Sequence, residues 1–146
     1  MTPAVLLVDD DPDDGDLLRL AFRRHGACAD LAVRVDGAEA GAVLSEAGAR
    51  GALPAVVLLD LKLRGAGGLE ILGRIRAQAA TETLPVVVMT SSVELKDVEK
   101  AYAAGANGYV RKPDTFDELV DVVGAILQFW VFRNELPGRR PRAESR

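Results

Sequence analysis

The stretch VLLVDDDPDD (residues 5–14) joins four consecutive apolar residues to five aspartates, with a single proline among them. An uninterrupted apolar run is typical of a strand that is buried on both faces of a parallel sheet. Pro12 suits the first turn of a helix, and Asp11 can cap that helix. Three further acids favour the positive end of the same helix, namely Asp13, Asp14 and Asp16. The stretch therefore predicts a buried strand, a short acidic loop and the start of a helix.

The same alternation recurs along the chain. Apolar runs predict strands at AVLLV (4–8), LAVRV (31–35), AVVLL (55–59), LPVVVM (84–89) and GYV (108–110). Helical patterns follow them at residues 12–24, 37–49, 68–79, 94–104 and 115–133. Five strand–helix units in series predict a doubly wound α/β fold with a parallel sheet and right-handed crossovers, and the alternating second run is typical of an edge strand. In such sheets, ligands bind beyond the carboxyl ends of the strands.

The bulk composition limits the classes of protein to consider. The 146 residues suffice for one domain, and 49% hydrophobic with 27% charged residues describe a globular chain. The net charge of −4 argues against nucleic-acid binding, and no apolar run approaches the length of a membrane span. The single cysteine, Cys28, excludes an internal disulfide, and the start of the chain lacks the features of a signal peptide. We therefore expect a cytoplasmic protein with a domain at 1–133 and a basic, flexible tail at 134–146.

Polar side chains follow the predicted strands at positions that should meet at one sheet edge. Asp9 and Asp10 follow the first strand, Asp60 the third, Thr90 the fourth and Lys112 the fifth. Three carboxylates in one place form a site for a hard divalent cation, Mg²⁺ first, with Mn²⁺ or Ca²⁺ as substitutes. The spacing therefore predicts a cation site that faces a threonine and a lysine.

Four motifs carry a resemblance to a known family. They are VLLVDDDP (5–12), VVLLDLKL with GGLEIL (56–63 and 67–72), VVVMTSS (86–92) and GYVRKP (108–113). In order and spacing they resemble the receiver domain of two-component response regulators, over about residues 4–130. The resemblance implies the flavodoxin-like receiver fold with strand order 2-1-3-4-5. It also implies a single-domain response regulator, which is a phosphoacceptor and not an enzyme acting on other substrates.

Site roles follow from this resemblance, residue by residue. It implies that Asp60 accepts a phosphoryl group from a phosphohistidine of a sensor kinase. It further implies that Mg²⁺ is bound directly by Asp10, Asp60 and the backbone carbonyl of Lys62, while Asp9 helps through water. Carboxylate attack on phosphorus needs the surrounding charges neutralised, and a metal with an ammonium supplies this.

Three more residues receive roles from the same resemblance. Thr90 would bond to the phosphoryl group, and Lys112 would neutralise one of its oxygens. Tyr109 stands where the family has a switch aromatic. The family has the bond between the lysine and the following proline, here Pro113, in the cis form.

Two positions depart from the family pattern. Lys62 stands where Asn or another polar residue is common, and Arg64 replaces a frequent proline. Because the metal would use only the carbonyl of Lys62, metal binding should survive. The ammonium of Lys62 is predicted to alter the access of water to the phosphoryl group, so that Lys62→Asn changes the rate of autodephosphorylation.

A phosphatase of the haloacid dehalogenase type is the main alternative. Its nucleophilic aspartate ends the first strand in a D-x-D-x-T/V motif, and Asp9 with Asp11 fit the first two places. However, Asp13 stands where Thr or Val is required, and Asp60 is left without a role. A non-phosphorylated pseudo-receiver that only binds partners is disfavoured because no key position is lost.

The last predicted helix, 115–133, carries more apolar surface than one face can bury. One stripe at helical spacing should pack on the sheet, namely Leu119, Val122, Val123, Ile126 and Trp130. The remaining surface predicts a homodimer with an interface at Leu127, Phe129, Trp130 and Phe132. VVVMTSSVELKDVEKAYAAGANGYVRKP (86–113) and FWVFRNELP (129–137) also resemble the small response regulators of bacterial and cyanobacterial phytochromes, which tend to dimerise through this region. A phytochrome-type histidine kinase is therefore the expected partner, with output by protein contact.

Overall fold

The computed structural model describes residues 3–27, 30–65 and 67–137. The strands are β1 (Val5–Val8), β2 (Leu31–Arg34), β3 (Val56–Leu59), β4 (Val86–Thr90) and β5 (Gly108–Arg111). The helices are α1 (Pro12–Arg24), α2 (Gly37–Ala49), α3 (Gly68–Ala77), α4 (Leu95–Ala103) and α5 (Phe116–Ile126), and a π-helical turn (Leu127–Val131) continues α5. The predicted alternation of strands and helices is confirmed.

The five strands form one parallel sheet in the order β2-β1-β3-β4-β5. This is the predicted order, and β2 lies at an edge as its alternating sequence indicated. Strands β1, β3 and β4 are buried along their whole length, because helices cover both faces of the sheet. The carboxyl ends of the three central strands therefore lie side by side along one edge of the sheet.

Two apolar clusters occupy the two faces of the sheet. On one face, α1 and α5 contribute Leu18, Phe22 and Val123. On the other face, α2 and α3 contribute Leu44 and Leu72 together with neighbouring residues. Full burial of a side chain of this size stabilises the fold by about 1.5–3 kcal/mol. This double layer holds the ends of the central strands in fixed positions.

Helix α1 begins as its sequence predicted. Pro12 is the first helical residue, and the carboxylate of the preceding Asp11 accepts a hydrogen bond from the Asp13 N–H at 2.9 Å. Asp11 is thus the N-cap that satisfies one of the free N–H groups of the first turn. This interaction fixes the direction in which the acidic loop leaves β1.

The end of the chain differs from the prediction of one helix over 115–133. After Ile126 the helix widens into the π turn, in which Phe132 N–H donates to Leu127 O at 3.1 Å. Val123, Leu127 and Val131 are all buried and follow one another at four-residue spacing along α5 and the π turn. Leu127 was therefore wrongly placed at a dimer interface, since its side chain is only 4% exposed.

The predicted boundary at residue 133 falls too early. Leu136 is partly buried and packs against the apolar cluster of α1 and α5. Residues 138–146, which hold most of the predicted basic tail, lie outside the described residues, as does Cys28. Among the helices that the structure describes, none is long and apolar enough to cross a membrane.

Candidate functional site

Parallel hydrogen bonding continues one residue beyond β1, β3 and β5 and fixes the backbone of the site. The N–H of Asp9 donates to Arg34 O at 3.0 Å, and the N–H of Asp60 donates to Val8 O at 3.0 Å. The N–H of Lys112 donates to a carbonyl of β4 at 2.8 Å. The residues that sequence analysis selected are therefore held at the carboxyl edge of the sheet by its own ladder.

The ammonium of Lys112 is the centre of the site. Its Nζ lies 3.0 Å from Asp9 Oδ2, 2.8 Å from Asp60 Oδ2 and 2.6 Å from Asp14 Oδ2. The side chains of Asp9 and Asp60 are almost fully buried, whereas those of Lys112 and Asp14 reach solvent in part. Charge-assisted hydrogen bonds of this length are among the strong ones in proteins. The structure thus brings together Asp9, Asp60 and Lys112, as predicted.

Asp14 is the residue of the site that sequence analysis missed. It was assigned with Asp13 and Asp16 to the positive end of α1, but its carboxylate makes the shortest contact to Lys112. A signal was present in the sequence, because Asp14 precedes the buried residues Leu18 and Ala21 by four and seven positions. That spacing puts Asp14 on the face of α1 that turns toward the sheet.

Asp9 and Asp60 are held in the same way. Asp9 Oδ1 accepts a hydrogen bond from the Asp11 N–H at 2.9 Å, and Asp60 Oδ1 accepts one from the Lys62 N–H at 3.1 Å. The second oxygen of each carboxylate faces Lys112. Both side chains are therefore oriented by a backbone donor of their own loop and by one shared cation.

A glycine permits the close approach of α3 to the loop that begins at Asp60 after β3. A Cβ atom at Gly68 would lie 2.3 Å from the backbone oxygen of Asp60 and 2.6 Å from Leu61 Cα. The Gly68 N–H donates to Leu61 O at 3.0 Å, which closes the loop at its far end. Only glycine fits here, because the conflicting atoms belong to the backbone and have no rotamer to change.

The carboxyl groups of the site differ in acidity. Burial raises the pKa of Asp9 to about 6, against the lowering effect of its hydrogen bonds to Asp11 and Lys112. Burial also acts to raise the pKa of Asp60, but Lys112 and the Lys62 N–H outweigh it, and that pKa is lowered. The pKa of Lys112 is raised, because its three carboxylate partners outweigh its own burial. At neutral pH, Asp60 is therefore a carboxylate and Lys112 is an ammonium.

Asp10 does not join this group. Its Oδ2 accepts a hydrogen bond from the Arg64 N–H at 2.9 Å, and the Arg64 Nε lies 3.7 Å away. The family frequently has proline at the position of Arg64, and proline would lack this N–H. The expected direct metal ligand is thus turned toward the loop after β3. The side chain of Lys62 is exposed.

Thr90 and Tyr109 lie on the neighbouring strands β4 and β5. Thr90 is fully buried, and its Oγ1 has no hydrogen-bond partner, although it contributes to lowering the pKa of Asp60. Tyr109 is half-buried, and its hydroxyl donates to Ser92 O at 3.1 Å, in the loop that follows Thr90. An unsatisfied buried hydroxyl next to a carboxylate can serve an incoming oxygen, because leaving such a group unpaired costs free energy. The described residues contain no cis peptide bond, so the bond before Pro113 is trans here and departs from the family pattern.

The apolar residues expected at a dimer interface divide into two groups. Phe129 and Phe132 are exposed by 51% and 38%. Trp130 is half-buried, packs against the core and contacts Phe129 edge to face, with 4.8 Å between ring centroids. Leu127, as described above, lies in the core. The exposed apolar surface of this segment thus consists of two phenylalanines with one tryptophan beneath them.

The carboxylates of the site fit a divalent cation. Carboxylate oxygens of Asp9, Asp14 and Asp60 all lie within 4.8 Å of one another. Hard oxygen ligands are those that Mg²⁺ and Mn²⁺ prefer, and a cation there would offset the burial that raises the pKa of Asp9. Asp11 is unsuited to this group, since its carboxylate caps α1. The D-x-D motif of the phosphatase alternative thereby loses its second acid.

Comparison with known proteins places the chain among signalling domains. The family model of the response regulator receiver domain matches residues 5–124. The probable methanogenesis regulatory protein FilR2 of Methanothrix harundinacea (strain 6Ac) is 36% identical over 136 residues, which are 92% of this chain and 87% of that protein. Response regulator Rcp1 of Synechocystis sp. (strain ATCC 27184 / PCC 6803 / Kazusa) is 31% identical over 91% of this chain and 92% of its own.

Solved structures agree with these relatives. The crystal structure of the phosphorylated cyanobacterial phytochrome response regulator RcpA has a TM-score of 0.83 at 29% identity, over 94% of this chain and 100% of that chain. The Mn²⁺-bound form of Rcp1 has a TM-score of 0.78 at 31% identity, over 92% of this chain and 98% of that chain. Sequence and three-dimensional similarity therefore extend over nearly the whole chain.

Proposed function

Because this chain belongs to the response regulator receiver domain family, we propose that it is a single-domain response regulator that accepts a phosphoryl group on Asp60. The observation that carries the proposal is the position of Asp60 at the end of a central strand, ionised and 2.8 Å from the ammonium of Lys112. A relative with the same fold, RcpA, is described as phosphorylated. In this function the chain is a phosphoacceptor, with no other substrate to turn over.

The proposed transfer is a displacement at phosphorus. An oxygen of Asp60 forms a bond to the phosphorus of a phosphohistidine while the P–N bond breaks. The electron pair of the P–N bond stays on the imidazole nitrogen of the donor. The product is an acyl phosphate on Asp60. Lys112 offsets the negative charge of the phosphoryl oxygens, and the unpaired hydroxyl of Thr90 donates to one of them.

A divalent cation is part of this proposal. Asp9 and Asp60 have the donor atoms and the proximity to hold Mg²⁺ or Mn²⁺, and a relative, Rcp1, is described in a Mn²⁺-bound form. When bound, the cation neutralises charge on the phosphoryl group and on the acids around it. We also propose the carbonyl of Lys62 and the carboxylate of Asp10 as ligands, and the latter must first leave Arg64.

The proposed donor is a sensor histidine kinase of the phytochrome type. Two relatives with this fold, RcpA and Rcp1, are response regulators, and the former is described as a phytochrome response regulator. Activation would then follow from phosphorylation, in that Thr90 binds the phosphoryl group and the loop that contains Ser92 moves. Tyr109 would respond, because its hydroxyl is bonded to that loop. Output would occur by contact with another protein and through a homodimer at Phe129, Trp130 and Phe132.

Labelling with acetyl phosphate tests this function. In the presence of Mg²⁺, the wild-type chain should gain the mass of one phosphoryl group, and peptide mapping should place it on Asp60. Asp60→Asn should abolish the label, and EDTA should prevent it. A chain that stays unlabelled with ample Mg²⁺ would contradict the proposal. Label on Asp9 with turnover of phosphate esters would instead support the phosphatase.

A further inference from the structure

Three carboxylates surround the ammonium of Lys112. It donates hydrogen bonds to Asp14 and Asp60, and Asp9 Oδ2 lies 3.0 Å away as an ion-pair partner. A phosphoryl oxygen that approaches Lys112 therefore competes with these carboxylates. The three acids differ in how firmly they can hold the lysine, because Asp9 and Asp60 also take part in the proposed phosphoryl transfer.

Asp60 and Asp9 are both affected by phosphorylation. When Asp60 becomes an acyl phosphate, its carboxylate charge is replaced by charge on the phosphoryl oxygens, so Lys112 must move from the carboxylate to one of these oxygens. Asp9 ends the strand next to that of Asp60 and is a candidate cation ligand. Asp14 comes from a different element, the first turn of α1, and its oxygen makes the shortest of the three contacts, 2.6 Å. It alone of the three has no role in the transfer as proposed above.

Packing leaves room for the lysine to move. A cavity of about 60 Å³ adjoins Lys112, and apolar side chains form much of its wall, Leu7, Leu17, Leu18, Met89 and Leu119 among them. A lysine side chain has rotamer entropy to lose on being fixed. Lys112 is thus held in place by its charged partners more than by surrounding atoms.

We propose that Asp14 is a positioning residue, which anchors Lys112 from α1 so that the ammonium stays at Asp60 while the other two carboxylates change partners. This inference rests on the proposed function of Asp60. It assigns Asp14 to the lysine and not to the cation, although its oxygen is close enough to the other acids to be considered a ligand.

Phosphorylation kinetics test the anchor. At saturating Mg²⁺ and acetyl phosphate, Asp14→Asn should slow labelling of Asp60 by about tenfold, since displacement of a catalytic group by about 1 Å costs up to a hundredfold. Asp14→Glu should recover part of the rate because it restores the charge. Asp13→Asn is the matched control, since it removes the same charge from the exposed side of the same helical turn and should leave the rate unchanged. An unchanged or faster rate in Asp14→Asn would overturn the proposal.

Cation binding separates an anchor from a ligand. Titration of Mg²⁺ should give the same dissociation constant for the wild type and for Asp14→Asn. Weakening by about tenfold or more would show that Asp14 serves the cation, and the proposal would then be wrong.

A third measurement does not depend on phosphorylation. In protein with ¹⁵N-labelled lysine, the ammonium protons of Lys112 should exchange slowly with water in the wild type and several times faster in Asp14→Asn. Equal exchange rates would refute the anchor even if Asp60 is phosphorylated. Faster exchange in the variant, together with a wild type that accepts no label, would leave the anchor standing and refute the function of Asp60.

Discussion

The carboxyl of Asp9 opposes the stability of the metal-free protein when it is ionised. It is buried next to Asp60, and one ammonium is shared among three acids, so that desolvation of Asp9 is only partly offset. Proteins often keep such groups where a ligand completes the charge balance. The ionised Asp9 that the proposed cation site needs therefore has a cost in stability when no cation is bound.

The pH dependence of unfolding should show this cost. The pKa of Asp9 is about 6 in the folded chain and 3.8 in the reference state, so the folded chain binds the proton more tightly. Its contribution to the free energy of unfolding is therefore present below pH 3.8 and is lost as the pH rises through about 6. Urea unfolding in EDTA should show the wild type losing about 1–3 kcal/mol relative to Asp9→Asn between pH 4 and pH 7.

The comparison with Asp9→Asn cancels the other titrating groups. Asp60 has a lowered pKa and changes stability in the opposite direction, but it is present in both proteins. Added Mg²⁺ should reverse the trend, since binding needs the ionised carboxylate and stabilises the protein more at pH 7.5 than at pH 5. A difference between the two proteins that is flat across this range would refute the raised pKa.

At the scale of single residues, the sequence predicted the positions of those side chains that follow directly on a strand end. Asp9, Asp60 and Lys112 meet because each follows a parallel strand, and the ends of parallel strands share an edge. Two side chains depend on contacts that no strand end fixes. Asp14 reaches the site from a helix, and Asp10 is held by a backbone N–H that exists because residue 64 is not proline.

At the scale of elements, Gly68 at the start of α3 controls the geometry of the loop that begins at Asp60. Gly68→Ala should destabilise the protein by about 2–4 kcal/mol, because the added Cβ meets backbone atoms of Asp60 and Leu61 that must shift as a unit. The same shift moves the carboxylate of Asp60, so labelling by acetyl phosphate should fall as well. Thermal unfolding and labelling kinetics measure the two effects.

Gly73→Ala is the matched control for this substitution. It lies inside the same helix, and a Cβ atom added there would meet nothing within 4 Å. Alanine has a better helix propensity than glycine, so this variant should be more stable than the wild type by up to about 1 kcal/mol, with normal labelling. Equal effects of the two substitutions would show that the close approach at Gly68 does not matter.

Element boundaries were predictable where the chain carries a local signal. The predicted helices at 12–24 and 37–49 match α1 and α2, which begin after the N-caps Asp11 and Asp36. The fourth strand was placed too early, since Pro85 accepts a hydrogen bond from Val57 but has no N–H to donate. The π turn after α5 contains no glycine or proline that would predict it from the sequence. It depends on the packing of Leu127 and Val131 into the core.

At the scale of the whole molecule, two elements that pack on the same face of the sheet, α1 and the π turn after α5, each carry exposed apolar side chains. Helix α1 has Leu17 and Leu20 exposed by 45% and 44%, and the end of the described chain has Phe129 and Phe132. Aromatic residues contribute more to interfaces than aliphatic ones of equal exposure, because they bury more area at a lower entropic cost. We therefore expect self-association through the aromatic pair and not through α1.

Sedimentation velocity should distinguish these two surfaces. The wild type should sediment as a dimer at micromolar concentration, and Phe129→Ser combined with Phe132→Ser should give a folded monomer with an unchanged circular dichroism spectrum. Leu17→Ser combined with Leu20→Ser, which removes aliphatic surface of comparable exposure, should remain dimeric. Leu127→Ser is expected to destabilise the protomer itself by about 2–5 kcal/mol, since its side chain is in the core. A monomeric wild type, or a phenylalanine variant that remains dimeric, would show that Phe129 and Phe132 do not join two copies of the chain. These side chains would then contact another partner or stay exposed to water.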